Sequence, residues 1–154
     1  PQQDRSRTSL RRLLETAEPM LERDGYGKFT LQALSKRAKV SIGSIYHMFE
    51  GKQDLIRELQ VRFLDRVEQE HALVINQLRR EGMPLRRLVP TAVRNYGEHL
   101  RRISGLLRVF MEVATTDAVV SANGKKYADQ SKRDFELLLL DRREEIRHPD
   151  PEHA

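Results

Sequence analysis

From Lys52 to Arg80 the sequence contains neither proline nor glycine, and Leu55, Ile56, Leu59, Phe63, Val67, Val74 and Leu78 keep to one stripe of a helical period. The run predicts a helix of roughly 28 residues, about 42 Å long at 1.5 Å per residue. Ahead of it, Leu10, Leu13, Leu14, Ala17, Met20 and Leu21 form a second such stripe, which predicts a helix over residues 6 to 23. Pro19 is expected to kink that helix or end it early, and Gly25 and Gly27 to stop it. After the interruption EGMP, residues 81 to 84, further helices are expected at 84 to 101, 104 to 115 and 124 to 146, parted by Gly105 and by TTDAVVSANG. No alternating apolar pattern of useful length occurs, so the fold class is all-α.

Between the first stripe and the long helix lie two short helices. Thr30 is placed to cap one over residues 30 to 37, with Leu31, Leu34 and Ala38 inward. Ser41 is placed to cap another over 41 to 48, with Ile42 and Ile45 inward and Ser44, Tyr46 and His47 outward, and Gly51 breaks it. Two helices joined by so short a turn form a helix-turn-helix, whose second helix fits the major groove of DNA, about 12 Å wide. The local charge agrees. Between residues 25 and 52 stand Lys28, Lys36, Arg37, Lys39 and Lys52 against one acid, Glu50, whereas the two signs mix elsewhere. The formal charge of +5 for the whole chain is a weaker hint of a polyanionic partner, because its distribution matters more.

Small residues at Ser41, Gly43 and Ser44 would let the helix approach a duplex closely, and hydroxyl groups serve base edges and phosphates alike. Tyr46 offers a hydroxyl to a phosphate. His47 can donate to a phosphate or touch a base, and Lys52 is a point charge at a helix start. Thr30 and Lys39 complete this set of candidate DNA contacts. Taken singly, Tyr46 also reads as a half-buried aromatic, His47 as a solvated histidine and Lys52 as an ordinary helix-start residue.

Other chemistry finds little support. Zero cysteines exclude disulfides, a thiol nucleophile and thiolate metal sites, and fit a reducing compartment, with the cytoplasm as the default location. His47, His71, His99, His148 and His153 show no metal-ligand spacing, and no phosphate loop or nucleophile elbow occurs. Glu144 and Glu145 read as solvated residues of a charged helix. An enzyme, a metal site and a cofactor are therefore not expected. No apolar run approaches the roughly 20 residues that span a bilayer. With 38% hydrophobic and 33% charged residues in 154, a core is available to one domain, or to a small one with a companion. An all-helical adaptor module without specific DNA binding remains the alternative.

The segment GYGKFTLQALSKRAKVSIGSIYHMFEGKQDL resembles the DNA-binding segment of the tetracycline-repressor (TetR) family of bacterial transcriptional regulators. The shared pattern is a Gly-Tyr turn, a threonine before the second helix, the turn AKVS, then Gly43, Tyr46 and Phe49 at three-residue spacing, and Lys52. The resemblance covers residues 8 to 60. Lys39 stands where the family usually has glycine, at a cost of about 1 kcal/mol if the turn is left-handed, and Met48 where histidine is frequent. The resemblance implies a head at 1–52 that binds DNA, joined by the long helix to a helical ligand-binding and dimerisation domain at 53–154. It implies further a homodimer on a pseudo-palindromic operator, released by a small-molecule effector acting as inducer. Tyr96, His99, Leu106, Phe110, Met111, Thr115, Tyr127 and Phe135 are the residues able to line a pocket for that effector, although packing is the commoner role for any one of them. At the end of the chain Asp150, Pro151 and Glu152 read as cap, first position and first turn of another helix. The family's last two long helices would then follow Ala154, and the second domain is expected to be incomplete.

Overall fold

The computed structural model describes residues 2–147, which form six α-helices and a short 3-10 helix and contain no strand. The helices are α1 (Gln2–Lys28), α2 (Leu31–Ala38), α3 (Ile42–Met48), α4 (Lys52–Glu81), α5 (Leu85–Ala114) and α6 (Ala118–Leu140), with the 3-10 turn at Arg143–Glu145. The helix start expected at Asp150–Glu152 lies outside the described residues. None of the helices described is long and apolar enough to cross a membrane.

Three expectations about breaks are corrected. Helix α1 passes through Pro19, and its one departure from helical geometry is Gly25, at φ 75° and ψ 170°, after which a further turn runs to Lys28. Helix α5 passes through Gly105 without a break. A glycine in a helix costs about 1 kcal/mol, and burial of Leu106, Val109, Phe110 and Val113 just beyond it outweighs that cost. Helix α6 begins at Ala118, six residues before the expected 124, because Asp117 caps it: its Oδ1 accepts from Val119 N at 3.0 Å and Val120 N at 3.2 Å. The stop at EGMP is present, with Gly82 at φ 59°.

The described residues divide into two compact units, one within 1–63 with 104–122 and the other within 64–103 with 123–154. In the first, α2 packs on both α1 and α3. Its core takes Leu13, Ala17 and Leu21 from α1, Leu34 from α2, Ile45 from α3, and Leu55, Ile56 and Leu59 from α4, all buried. Phe63 and Phe110 meet at a tilt, 5.2 Å between ring centroids. In the second unit Ile75, Leu78, Leu88, Ala92 and Leu138 form the core, flanked by Met83, Leu85, Phe135 and Leu139. The chain beyond α6 is held there by polar ties. Arg142 Nε donates to Met83 O at 2.7 Å, Arg79 Nε to Asp141 Oδ2 at 2.7 Å, and Leu85 N to Glu145 Oε2 at 2.9 Å. Glu144 and Glu145 thus sit in a 3-10 turn rather than a long helix, and Glu145 satisfies an open amide at the start of α5.

Candidate nucleic-acid interface

The geometry of the helix-turn-helix follows from three short-range devices. Thr30 is extended, and its Oγ1 accepts from Ala33 N at 3.2 Å, closing the start of α2. Lys39 ends α2 in the left-handed region, at φ 53° and ψ 42°. Ser35 holds the chain there: its carbonyl accepts from Val40 N at 3.2 Å, and its hydroxyl donates to Val40 O at 2.7 Å. Ser41, also extended, then caps α3 by accepting from Ser44 N at 3.1 Å.

Helix α3 buries one residue, Ile45, and leaves Ser41, Gly43, Ser44, Tyr46 and His47 exposed. Ile42 does not face inward as expected. It is 38% exposed, because in a helix of two turns a single position reaches the core and Ile45 occupies it. The Ser41 and Ser44 hydroxyls lie 2.8 Å apart, so one hydroxyl proton is spent between them and the other stays available. Gly43 has open space where a Cβ would stand. Thr30, Lys36, Arg37 and Lys39 are exposed on the neighbouring elements.

Lys52 differs from the rest. Its Nζ donates to Tyr26 O at 2.5 Å and lies 3.9 Å above the Tyr26 ring, with the Phe29 ring centroid at 5.9 Å. Burial pushes its ammonium pKa down, opposed by Glu112. Lys52 is therefore a tie between the start of α4 and an open carbonyl at the end of α1, not simply a point charge facing solvent. One of its three protons is committed. A second tie, invisible in the sequence, is Asp117, 2% exposed. Its Oδ2 accepts from Gln53 Nε2 at 2.7 Å and from Arg57 Nε at 2.9 Å. The Arg57 guanidinium, with the Gln53 and backbone hydrogen bonds and against the effect of burial, holds this carboxyl down at about 2.

The candidate effector residues separate. Leu106, Phe110, Met111 and Thr115 belong to the first unit, where Phe110 is spent on Phe63 and Met111 is exposed. Tyr96, His99, Tyr127 and Phe135 fall in the second unit, and Tyr96 meets Phe135 edge to face at 5.9 Å. His71 joins them, with its ring 5.8 Å from that of Phe135. Sequence reasoning passed over His71, although it is a polar residue on the apolar stripe of α4, four positions after Val67 and four before Ile75. Among the described residues no group of three or more histidines and carboxylates could hold a metal ion.

Residues 13–59 match the family described as bacterial regulatory proteins, tetR family. No curated protein matches the sequence. Among solved structures, the fold is similar to that of a candidate TetR-family transcriptional regulator from Mesorhizobium loti MAFF303099, with a TM-score of 0.80 at 18% identity over 97% of this chain and 76% of that one. The matched residues hold α2, α3, both caps, the Lys39 turn and the Lys52 tie. Residues 13–59 are thus similar to the tetR family of bacterial regulatory proteins, and the likeness of fold extends over nearly the whole chain.

Proposed function

We propose that the chain is a sequence-specific, cytoplasmic DNA-binding regulator, a ligand-responsive repressor that reads a pseudo-palindromic operator as a homodimer and leaves it when a small molecule binds. The observation that carries this reading is the outer face of α3: Ser41, Gly43, Ser44, Tyr46 and His47 are all exposed, within the segment that matches the family and that also carries the exposed Lys36, Arg37 and Lys39. Their proposed roles follow from chemistry. Ser44 and Gly43 meet base edges, while Tyr46, His47, Thr30, Ser41 and Lys39 hold phosphates, which fix register without reading sequence. Lys52 adds a charge at the same edge with its two uncommitted protons. Residues 1–52 would then read DNA and 53–154 take the effector. Ligand control would run through α4, which both compact units share, as a shift of population between two states.

A salt titration on duplexes tests the first half. Phosphate neutralisation makes log affinity fall linearly with log salt, at about −0.9 per phosphate contacted. An adaptor shows no steep dependence on any duplex, and that result would remove the DNA-binding reading. Selection from a random duplex pool tests specificity, and enrichment of a sequence with two-fold symmetry is the expected outcome.

A further inference from the structure

Three side chains on one face of α4, Gln53, Arg57 and Gln60, reach one corner of the first compact unit, where α5 turns into α6. The corner is Thr115-Thr116-Asp117. Both threonine hydroxyls donate back to carbonyls in the last turn of α5, Thr115 Oγ1 to Glu112 O at 2.7 Å and Thr116 Oγ1 to Val113 O at 3.3 Å, which closes that helix end. Asp117 then caps α6 through Oδ1 and turns Oδ2 to α4, where Gln53 and Arg57 donate to it. Further along α4, Gln60 Nε2 donates to Val120 O at 2.8 Å. Gln60 and Asp117 are each 2% exposed, so the ladder is made away from water.

Leu55, Ile56 and Leu59 of the same stretch are buried in the apolar core. Apolar contact is non-directional and tolerates a sliding helix. Hydrogen bonds weaken steeply as distance and angle depart from ideal, so a shift of α4 by one residue, about 1.5 Å along its axis, would break the whole ladder. It would also leave the Asp117 carboxylate buried without its cation, which is costly. The ladder therefore fixes where α4 stands along the corner. The start of α4 in turn carries α3. Only Phe49, Glu50 and Gly51 separate the two helices; Phe49 is buried, and Glu50 N donates to Asp54 Oδ2 at 3.3 Å. A displacement of the first turns of α4 is thus a displacement of α3.

We infer that Asp117, Arg57 and Gln60 are positioning residues for DNA reading, which set the separation of half-sites that two copies of the chain accept. The inference rests on the reading that a homodimer binds a pseudo-palindromic operator. Two-fold symmetry doubles any displacement of α3, so about 1.7 Å in each copy alters the separation by one base pair, about 3.4 Å. The test titrates the full chain against duplexes that carry the selected half-sites at the preferred separation, at one base pair more and at one fewer, alongside a duplex with a single half-site. The parent should favour one separation. Arg57→Ala should reduce that preference about tenfold, the contribution of one charge-assisted hydrogen bond, with affinity for the single half-site held because the outer face of α3 is untouched. Arg57→Lys, which keeps a cation able to reach Asp117, should restore most of the preference. Gln60→Met conserves volume and removes only the donor; it should act in the same direction by a smaller factor, and it carries the test if circular dichroism shows Arg57→Ala unfolded. A preference as sharp as the parent's in the folded variants, with every duplex weakened alike, would make the ladder a purely structural feature and overturn the inference. A parent that binds no paired duplex better than the single half-site would instead remove the dimeric operator reading, and this inference with it.

Discussion

Lys39 carries a backbone conformation that suits glycine, at φ 53°, and the Ser35 contacts hold it there. Lys39→Gly should therefore raise stability slightly, by at most about 0.5 kcal/mol, the left-handed strain of about 1 kcal/mol relieved less about 0.5 kcal/mol or more of added chain entropy, read from the urea midpoint. A drop in that midpoint would show that the lysine side chain contributes more than its backbone costs. Lys52→Ala should do the opposite, lowering stability by about 1 kcal/mol through loss of the Tyr26 carbonyl bond and the ring contact, as well as weakening DNA. An unchanged midpoint with a shallower salt slope would return Lys52 to a purely phosphate role. Tyr46→Phe touches no contact seen in the fold, so its expected effect is confined to DNA: specific and non-specific duplexes weaken alike, by gel shift, with the melting temperature held. At this scale the caps were legible, because Thr30 and Ser41 bond amides only three residues away. Ile42 was not, since its neighbours along the chain do not say which of two isoleucines the core admits.

Helix α3 is where local geometry and recognition coincide. Gly43 sits inside it with open space at its Cβ direction, so Gly43→Leu should fold normally and melt no lower than the parent, since leucine is the better helix former by about 1 kcal/mol. The same side chain would block close approach to the groove, and duplex affinity should fall for every sequence tested. Loss of helix content by circular dichroism would make Gly43 structural instead. Longer elements obey different constraints. The stripe from Leu55 to Leu78 announced α4, and only the identity of His71 on that stripe was overlooked. Gly105 and the stretch around Asp117 misled for a common reason: glycine and cap signals are worth about 1 kcal/mol each, less than the buried side chains beyond Gly105 contribute. An aspartate's value as a cap also depends on whether its other oxygen is met, here by Gln53 and Arg57.

Across the molecule, Asp117 joins residues about sixty positions apart, and its carboxyl is held at about 2 against an ordinary 3.8. A folded-state value below the unfolded one means the carboxylate stabilises the fold fully above the ordinary range and loses that contribution as pH falls from about 4 to about 2. The stability difference between the parent and Asp117→Asn should therefore shrink across that window in urea unfolding at stepped pH. A difference that stays constant would show that the ion pair with Arg57 is not what the carboxylate contributes. The same distance in sequence explains what could be read and what could not. Periodic stripes, the breaks at Gly25 and Gly82 and both caps are local. They are set by hydrogen bonds and side-chain spacings within about four residues, and from them the sequence alone determined an all-helical chain with a helix-turn-helix head. The tertiary structure alone decided that α5 runs through Gly105, that Lys52 meets Tyr26, that Asp117 meets Arg57, and that His71, His99 and Asp134 from three helices share one place. Burial and charge pairing depend on which distant surfaces meet, and no stretch of neighbouring residues records that.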